Sequence, residues 1–564
     1  TVTSVATKTK KDPLDVLGST STVNRDQIEI LIPNSLDDIL RTVPGVEADG
    51  GPRTTAEQFN LRGLGDSRIV LRIDGARANF DSGHRGRVFI DPDILKTVDV
   101  VRGPSSIYGS GALGGVISLE VVDPDDLLEP GKFFGMRTKI GVQSVNNEFF
   151  HSHTAFGKYK GVGAIVNFTR RISGAIRTGR PVPEGGYDDV PFSKDNIKSG
   201  LAKVTFNPAP GHRGFFTYQI YNNTNNIPTA ANTADTDIVA DRKSREERFV
   251  WGYNFNPKSS RWVDLTTRVY LNKVRLTEDV ISPGPNFGRL DKTDLTTIGM
   301  DVFNTSRASF YGDTILAEIT YGVEFYQDSQ NGTRNGQPRD QYPDAKSQIF
   351  GAYLRAEFTL LKQFIVTGTL RWDNFNLSAD DGSSRDDSKL SAAPLGAVLR
   401  QICRGVPRAI PDRELRPGRP FSLGPGRQQR IHPEPQPEAG RSGIGRGRLQ
   451  DALPQRLHAQ RPVHDELRRL PDEREELHRS GGHQQRRADT SPWVFGSVAA
   501  AYIIGENKTD DTSLRSIPAQ KLIFTIGTRV PKWDFLIGWR TPFVSGQHRV
   551  PDGTSTTPGY ILND

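Results

Sequence analysis

Residues 90–119 read IDPDILKTVDVVRGPSSIYGSGALGGVISL, and this stretch decides the fold. It predicts a short strand at residues 98–101, a Gly/Ser/Pro turn, and a glycine-dense loop that leads into a second apolar strand. Glycine at this density lets the backbone turn tightly and pack closely. The stretch has no G-x-x-x-x-G-K-[ST] pattern, and no helix with a downstream acidic residue follows the glycines, which argues against a phosphate-binding loop.

The composition permits a large β protein with a small second domain. The chain has 564 residues, 35% of them hydrophobic, and one cysteine, so an intrachain disulfide is excluded. No stretch approaches the ~20 apolar residues of a membrane helix. A transmembrane β-barrel remains compatible, because its strands alternate lipid-facing and lumen-facing residues. No signal peptide is visible, and Thr1 is typical of a mature or clipped start.

Residues 1–125 and the residues that follow them up to about 400 have different sequence patterns. Residues 1–125 predict a compact α/β unit, with a helix at 34–41 capped by Asn34 and strands at 59–63 and 69–75. Further on, residues 263–271, 315–325 and 364–373 alternate apolar and polar side chains, which predicts strands with one face in an apolar medium. A soluble β-sandwich is the alternative. The polar insertions at 177–193 and 222–245 are predicted to be extracellular loops.

Four runs in the first 120 residues carry a family resemblance: LRTVPGV, FNLRG, RIVLRIDG and VDVVRGPSSIYGSGALGGVI, in that order. Together they resemble the plug domain of TonB-dependent outer-membrane receptors. The resemblance implies an α/β plug (1–125) inside an all-β antiparallel transmembrane barrel, with barrel strands at 126–400 and 491–564. It places the chain in the outer membrane of a Gram-negative bacterium. The family barrel is of the plugged, ~22-stranded kind.

A block at residues 401–490 breaks the alternating pattern. Residues 401–489 hold eighteen Arg, no Lys and twelve Asp plus Glu, together with the single cysteine, Cys403. Three interpretations compete: a basic loop that binds nucleic acid or anionic lipid, an Arg-rich linker, and a shifted reading frame. Moving the frame by one base lets residues 406–413 encode FRAPSLTE and residues 433–439 encode PNPNLKP, which favours the frameshift.

The recovered FRAP and NPNL boxes resemble the signature of outer-membrane haem receptors. Without the block the chain is nearly neutral, so its net charge of +7 is no argument for nucleic acid. The block's five histidines are likewise no metal cluster. The chain stops at Asp564, whereas several strands follow in the family; fifteen strands can be placed, and the barrel is expected not to close.

Haem ligation is implied by the resemblance at one plug position. The segment 82–92, SGHRGRVFIDP, is similar to plugs of haem and haemoglobin receptors, and His84 occupies the place of a haem-iron ligand. Imidazole is a good axial donor to haem iron. The alternative is a solvated loop histidine. The family's second ligand is expected near Pro420, which encodes His in the shifted frame.

Two further features follow from the resemblance. Arg62 and Arg102 match positions that pair with barrel glutamates and hold the plug, although the partner glutamates cannot be assigned from the sequence. Surface arginines are the alternative. Val2, Thr3, Ser4 and Val5 resemble the end of a TonB box, which adds a strand to the periplasmic protein TonB.

The sequence therefore predicts a receptor that binds haem or haemoglobin outside the cell and imports haem iron with energy from TonB and its inner-membrane complex. Haem is the transported ligand rather than a resident cofactor, and no catalytic constellation indicates an enzyme. A ferric-siderophore receptor is the first alternative, and a β-rich surface adhesin is the second.

Overall fold

The computed structural model describes residues 7–9, 11, 19–49, 51, 53–81, 86–109, 111–178, 189–231, 236–312, 314–361, 364–379, 384–396, 494–503, 506–507, 512–513, 517–530, 535–550 and 556–561. These residues fall into two compact units, divided between Leu423 and Gly424. Residues 401–490, the predicted frameshifted block, lie outside the described part of the chain.

The first unit begins with a small α/β domain, which we call the N-terminal domain. Its elements are β1 (Ser19–Asn24), α1 (Arg25–Leu31), α2 (Leu36–Leu40), β2 (Val46–Asp49), β3 (Gln58–Leu61), β4 (Leu64–Gly65), β5 (Ile69–Ile73), β6 (Ala76–Arg77), β7 (Leu95–Arg102), β8 (Gly115–Val121) and α3 (Pro124–Leu127). Five strands form one sheet in the order β1-β7-β8-β5-β6, and β2-β3-β4 form a second.

The glycine-dense stretch forms the centre of the larger sheet. The strand predicted at 98–101 is the middle of β7, and β8 is the predicted second apolar strand. β7 and β8 pair antiparallel, whereas β5 and β8 pair parallel. Gly115 has φ 143°, and a Cβ there would overlap the Val101 carbonyl. Glycine is therefore required where β8 leaves the loop beside β7.

The N-cap predicted for the helix at 34–41 was wrong by one residue. The helix α2 begins after Ser35, which is its N-cap and makes no side-chain capping bond. Asn34 precedes the cap; its backbone N–H donates to the Asp38 carboxylate at 2.8 Å. Its side-chain amide donates to Gln143 on the first strand of the large sheet, so it is engaged elsewhere.

The rest of the first unit is one large antiparallel sheet. Its strands are β9 (Phe134–Gln143), β10 (Glu148–Tyr159), β11 (Val162–Ile172), β12 (Asn196–Phe206), β13 (His212–Pro228), β14 (Val239–Phe255), β15 (Leu265–Val280), β16 (Leu290–Phe310), β17 (Ile315–Arg334), β18 (Gln337–Pro338), β19 (Ala345–Leu360), β20 (Phe364–Ala379) and β21 (Ser384–Gly396). Apart from β18, which pairs with β17, each strand pairs with its sequence neighbours. The runs 315–325 and 364–373 lie in β17 and β20, as predicted, and the run 263–271 lies in β15 except for its first two residues.

The large sheet curves around the N-terminal domain. Phe156 on β10 joins the domain's main hydrophobic core, and Ala76 of the domain packs in a cluster with Phe375 on β20. Contacts this far apart along the sheet require it to bend around the domain. One side of each strand therefore faces the domain, and we call the opposite side the outward face.

The two ends of the sheet have connections of different length. At one end the strands are separated by two to five residues (160–161, 207–211 and 311–314), whereas at the other end longer stretches of sequence separate them (173–195 and 229–238). The loop predicted at 222–245 was too long, because β13 runs to Pro228 and β14 starts at Val239. The polar side chains there bond inward instead: Asn223 and Asn225 both donate to Asp195.

The second unit is described in part. Strands β22 (Val494–Ala501), β25 (Lys521–Val530), β26 (Phe535–Val544) and β27 (Tyr560–Ile561) form an antiparallel sheet in that order, and β23 (Glu506–Asn507) pairs with β24 (Thr512–Ser513). Among the described residues of the chain, no helix has the length and apolarity needed to span a lipid bilayer.

Candidate functional site

Several predicted site residues lie outside the described part of the chain. His84, the candidate haem ligand, falls in the gap at 82–85, and the TonB-box residues Val2, Thr3, Ser4 and Val5 precede residue 7. The expected second ligand near Pro420 lies in the undescribed block. These assignments stay predictions.

The structure places the two predicted lock arginines side by side in the N-terminal domain. Arg102 donates to the Thr20 carbonyl at 3.3 Å and to the Ser21 hydroxyl at 2.7 Å, and also to the Pro44 carbonyl. Burial and the nearby charge of Arg62 lower the pKa of Arg102 to about 10. Neither arginine bonds to a carboxylate of the large sheet within the described ranges, so their barrel partners stay unassigned.

Other cations of the N-terminal domain do meet carboxylates of the large sheet. Lys8, Arg72 and Arg77 of the domain with Asp301 on β16 and Glu324 on β17 form what we call the sheet-acid cluster. Asp301 accepts from Lys8 Nζ at 2.8 Å and from Arg72 Nη2 at 3.0 Å. Glu324 accepts from Arg77 Nε at 3.0 Å and lies 3.4 Å from Arg72 Nη1. All five side chains are at most 4% exposed, so removing one charge would leave its partner poorly hydrated.

Arg371 on β20 completes this cluster from the sheet side. It donates to Glu324 at 3.1 Å and to Asp373 at 2.8 Å, and its Nη1 donates to the Ile107 carbonyl at 3.3 Å. Gly109 has φ 74° and ψ −153°, and a Cβ there would overlap the Arg371 guanidinium. The glycine-dense stretch thus lets a sheet arginine reach the domain backbone.

The N-terminal segment before β1 is anchored in the same cluster. The Lys8 ammonium lies 4.2 Å from the ring centroid of Tyr353, 5.0 Å from that of Phe303 and 5.2 Å from that of Tyr108. It also donates to the Tyr353 hydroxyl at 2.6 Å. Burial lowers the pKa of Lys8 to about 8, although the Asp301 carboxylate opposes that shift.

Two neighbours of Lys8 extend this anchorage. Lys11 pairs with Glu318 at 3.0 Å and with Glu357, and the Thr9 hydroxyl donates to Glu318 at 3.0 Å. The residues that directly follow the predicted TonB box are therefore held against strands β16, β17 and β19.

The charge pattern is reversed on the other side of the domain. Asp91 and Asp93 of the domain with Arg137 and Lys139 on β9 and Arg171 on β11 form what we call the sheet-base cluster. Arg171 Nε donates to Asp91 at 2.7 Å. Asp93 lies 3.2 Å from Arg137 Nη2 and 3.3 Å from Lys139 Nζ. Here the domain supplies the acids and the sheet supplies the bases.

The pKa of Asp93 shows how strongly this cluster holds its charge. Burial alone would raise this pKa, but the charges of Arg137 and Lys139 and the Ser152 hydroxyl lower it from 3.8 to about 2. Asp123, at the junction between domain and sheet, is a second buried carboxylate whose pKa is lowered by nearby cations. Burial opposes its ionisation, yet Lys203, 2.9 Å away, lowers its pKa.

A polar cavity of about 490 Å³ lies between the domain and the sheet. Lys8, Arg72 and Asp74 line it on the domain side, and Arg268 and Asp301 line it on the sheet side. It extends to residues in and beside the connection at 256–264, near the short-turn end. Arg268 lies 4.8 Å from the Phe215 ring and donates to the Thr267 carbonyl at 3.0 Å. The cavity is suited to charged groups rather than to an apolar ligand.

Neither cluster was predicted from the sequence, although one signal was present. Arg72 interrupts the otherwise apolar run IVLRI, and every residue of that strand is buried. A buried arginine needs a partner, so a polar contact of Arg72 could have been predicted. Its partners Asp301 and Glu324 are more than 200 residues away, and pairing depends on how the domain is rotated within the sheet.

Comparison with known proteins identifies both parts of the first unit. Residues 12–116 match the TonB-dependent Receptor Plug Domain family, and residues 186–394 match the TonB dependent receptor-like, beta-barrel family. The two matches together span more than half of the chain.

Individual relatives agree with this assignment. The chain is 30% identical over 361 residues to a Hemin receptor of Yersinia pestis, with 63% of this chain and 51% of that protein covered. It is 25% identical over 446 residues to a Heme/hemopexin utilization protein C of Haemophilus influenzae, with 69% and 59% covered. The chain thus spans between half and three fifths of the length of these relatives.

A solved structure shares the fold. The FrpB iron transporter from Neisseria meningitidis superimposes with a TM-score of 0.69 at 17% identity, with 97% of this chain and 92% of that chain covered. The fold and the two domain matches define a class: this chain belongs to the TonB-dependent outer-membrane receptors. The N-terminal domain is their plug, the large sheet is barrel wall, and the protein resides in the outer membrane.

Proposed function

We propose that this chain is a haem receptor, which binds haem or haemoglobin outside the cell and passes haem iron inward in a TonB-dependent step. The observation that carries the proposal is the match to relatives named for hemin and for heme/hemopexin, together with a plug and a barrel wall. Haem is the cargo in this proposal, and its transport needs no covalent chemistry in the receptor.

His84 is the proposed axial ligand of the haem iron. Its neutral imidazole offers a lone pair that suits iron in either oxidation state. The proposed second ligand lies near Pro420, encoded as His in the shifted frame. In that case the chain as translated binds haem through one side of the porphyrin.

The two charge clusters are the contacts between plug and wall that the proposed transport step must break. Cargo can pass only if the plug moves relative to the wall, and such a movement must separate the buried ion pairs of the two clusters. The proposed energy source is TonB, which would pair with Val2–Val5 as an added strand. A pull on that segment acts first on Lys8 and Lys11, since these residues follow it within six positions.

The absorbance spectrum of the full chain with haemin tests the proposal. We expect a shifted Soret band, and the variant His84→Ala should lose most of the shift. His212→Ala is the matched control, because His212 lies 4.4 Å from the Phe255 ring, at the short-turn end where β13 begins. If His84→Ala gives the same spectrum as the unmodified chain, His84 is not a ligand of the haem iron.

A different result would show that haem is not the cargo. If neither this chain nor its frame-corrected form binds haemin, and a ferric siderophore binds instead, the haem proposal is wrong and the siderophore alternative stands. The frame-corrected form replaces residues 401–490 and leaves the proposed plug (1–125) and the proposed wall segments (126–400 and 491–564) unchanged.

A further inference from the structure

The outward face of the barrel wall changes from apolar to polar along individual strands. On β11, Phe168 is followed on this face by Arg170, and on β20, Trp372 is followed by Asn374. The change lies toward the end with the longer connections. Because outer-membrane barrels have short periplasmic turns and longer extracellular loops, the polar part of each strand lies on the extracellular side.

Five outward-facing residues form one continuous row across neighbouring strands. Strand pairing places each member directly opposite the next, and we call the set the cationic row: Arg170, Lys198, Asn222, Arg245 and Arg275. Strand pairing continues the row into Asp294 on β16 and Asn331 on β17, neither of which is a cation. Within this row the positive charge is therefore confined to the sector from β11 to β15.

Two pairs in the row set like charges directly opposite each other. Arg170 is paired with Lys198, and Arg245 is paired with Arg275. Adjacent strands are only ~4.8 Å apart, so such pairs are destabilising unless an anion lies between them. Arg245 has Glu247 at 2.9 Å, and Arg275 has Asp294 at 2.9 Å.

The other pair has no such compensation in the described part of the chain. Arg170 and Lys198 make no ion pair with a described carboxylate, and the Nε of Arg170 is buried without a hydrogen-bond partner among the described residues. The row thus has an unneutralised end on β11 and β12, with donors available for an anion that approaches along the outward face.

We propose that the cationic row binds the phosphate groups of a phosphorylated lipid of the outer leaflet, with Arg170 and Lys198 as the main contacts. The phosphates of such a lipid lie at the boundary between hydrocarbon and water, and on β11 that boundary lies between Phe168 and Arg170. Arg donates two parallel hydrogen bonds to a phosphate and Lys adds a point charge. Acyl chains would then lie along Phe168 and the apolar residues below it. This lipid site is independent of the cargo that the receptor transports.

Binding of bisphosphorylated lipid A to the full chain, solubilised in non-ionic detergent, tests the proposal. The double variant Arg170→Gln/Lys198→Gln should bind the fluorescently labelled lipid roughly 30-fold more weakly, since each surface cation contributes about one tenfold step or less. Binding should also weaken as salt rises, because the contacts are exposed to solvent.

The matched control is Lys292→Gln/Lys346→Gln, which removes two exposed outward lysines from β16 and β19, outside the sector. It should bind lipid A as the unmodified chain does. Equal losses for both double variants would overturn the proposal, as would undiminished binding to lipid A stripped of its phosphates. The latter measurement uses the unmodified chain and does not depend on the folding of a variant.

Discussion

At the scale of single residues, burial acts differently on the plug's acids and bases. Asp93 is buried among cations and keeps its charge to a pKa of about 2, whereas burial lowers the pKa of Lys8 to about 8 despite its carboxylate partner. The plug's acid is thus firmly ionised at neutral pH. Lys8 is nearer to its neutral form than Asp93 is, and its ion pair is therefore the weaker of the two contacts between plug and wall.

Asp93→Asn should lower the stability of the full chain near pH 7 by about 2 kcal/mol, from a pKa displaced by nearly two units. Because the folded-state pKa is depressed, this contribution is present above pH ~4 and is lost as the pH falls through about 2. Denaturant unfolding at pH 7 and near pH 2 checks it: the variant and the parent should converge at the lower pH. Asp125→Asn, at an exposed ion pair with Lys158, is the control and should change little.

Lys8→Met should loosen the N-terminal segment without disturbing the wall. Methionine preserves contact with the three rings but removes the pairing with Asp301, which keeps Arg72 as a partner. We expect amide exchange at residues 7–11 to become about tenfold faster, as for the loss of one charged hydrogen bond. Lys132→Met, on an exposed residue, serves as the reference, and equal exchange in both variants would show that Lys8 does not anchor the segment.

At the scale of elements, the periodicity of the sequence predicted where strands lie well, but it predicted the first and last residues of helices and strands poorly. The alternation at 315–325 and 364–373 predicted strands because a two-residue period leaves few alternatives, and β17 and β20 are longer than these runs. The helix cap lies at Ser35 rather than at Asn34, whose side-chain amide donates to Gln143 of the large sheet. Local sequence cannot report a contact with residue 143, and the same limit hid the partners of Arg72.

Gly109→Ala should destabilise the turn between β7 and β8 more than the same change at Gly103. Both glycines have positive φ, 74° and 104°, but a Cβ at Gly109 meets the Arg371 guanidinium whereas one at Gly103 meets nothing within 4 Å. We expect about 1–2 kcal/mol from backbone strain at Gly103 and a larger loss at Gly109. Urea unfolding of the two variants measures the difference, and equal losses would mean that Arg371 does not pack against this turn.

At the scale of the whole molecule, the plug is held to the wall by charges of both signs. Arg72→Gln/Arg77→Gln would leave Glu324 with Arg371 alone and should destabilise plug docking by at least about 3 kcal/mol. Hydrogen exchange in β5 and β8 should rise while exchange in β13–β17 is unchanged. Arg68→Gln removes an exposed plug arginine and should leave both unchanged. A uniform rise across plug and wall would point to general unfolding instead.

The DNA sequence across codons 395–492 tests the shifted frame. We expect two compensating one-base changes, one near each end of the block, that together restore the FRAP and NPNL boxes, remove most of the eighteen arginines and leave residues 491–564 in frame. An unaltered frame in independently obtained DNA would contradict this expectation. The composition of the block raised the question, but its structure lies outside the described residues.

The opposed polarity of the two clusters has a consequence for engineering. The plug carries cations toward β16 and β17 and anions toward β9 and β11, so it is electrically asymmetric across its width. Turned half-way round, it would face acid with acid and base with base. A chimaera that combines this plug with the barrel of another receptor should therefore assemble only if the host wall carries the same pattern, and transplanting Asp301, Glu324, Arg137 and Arg171 together would be the minimum graft.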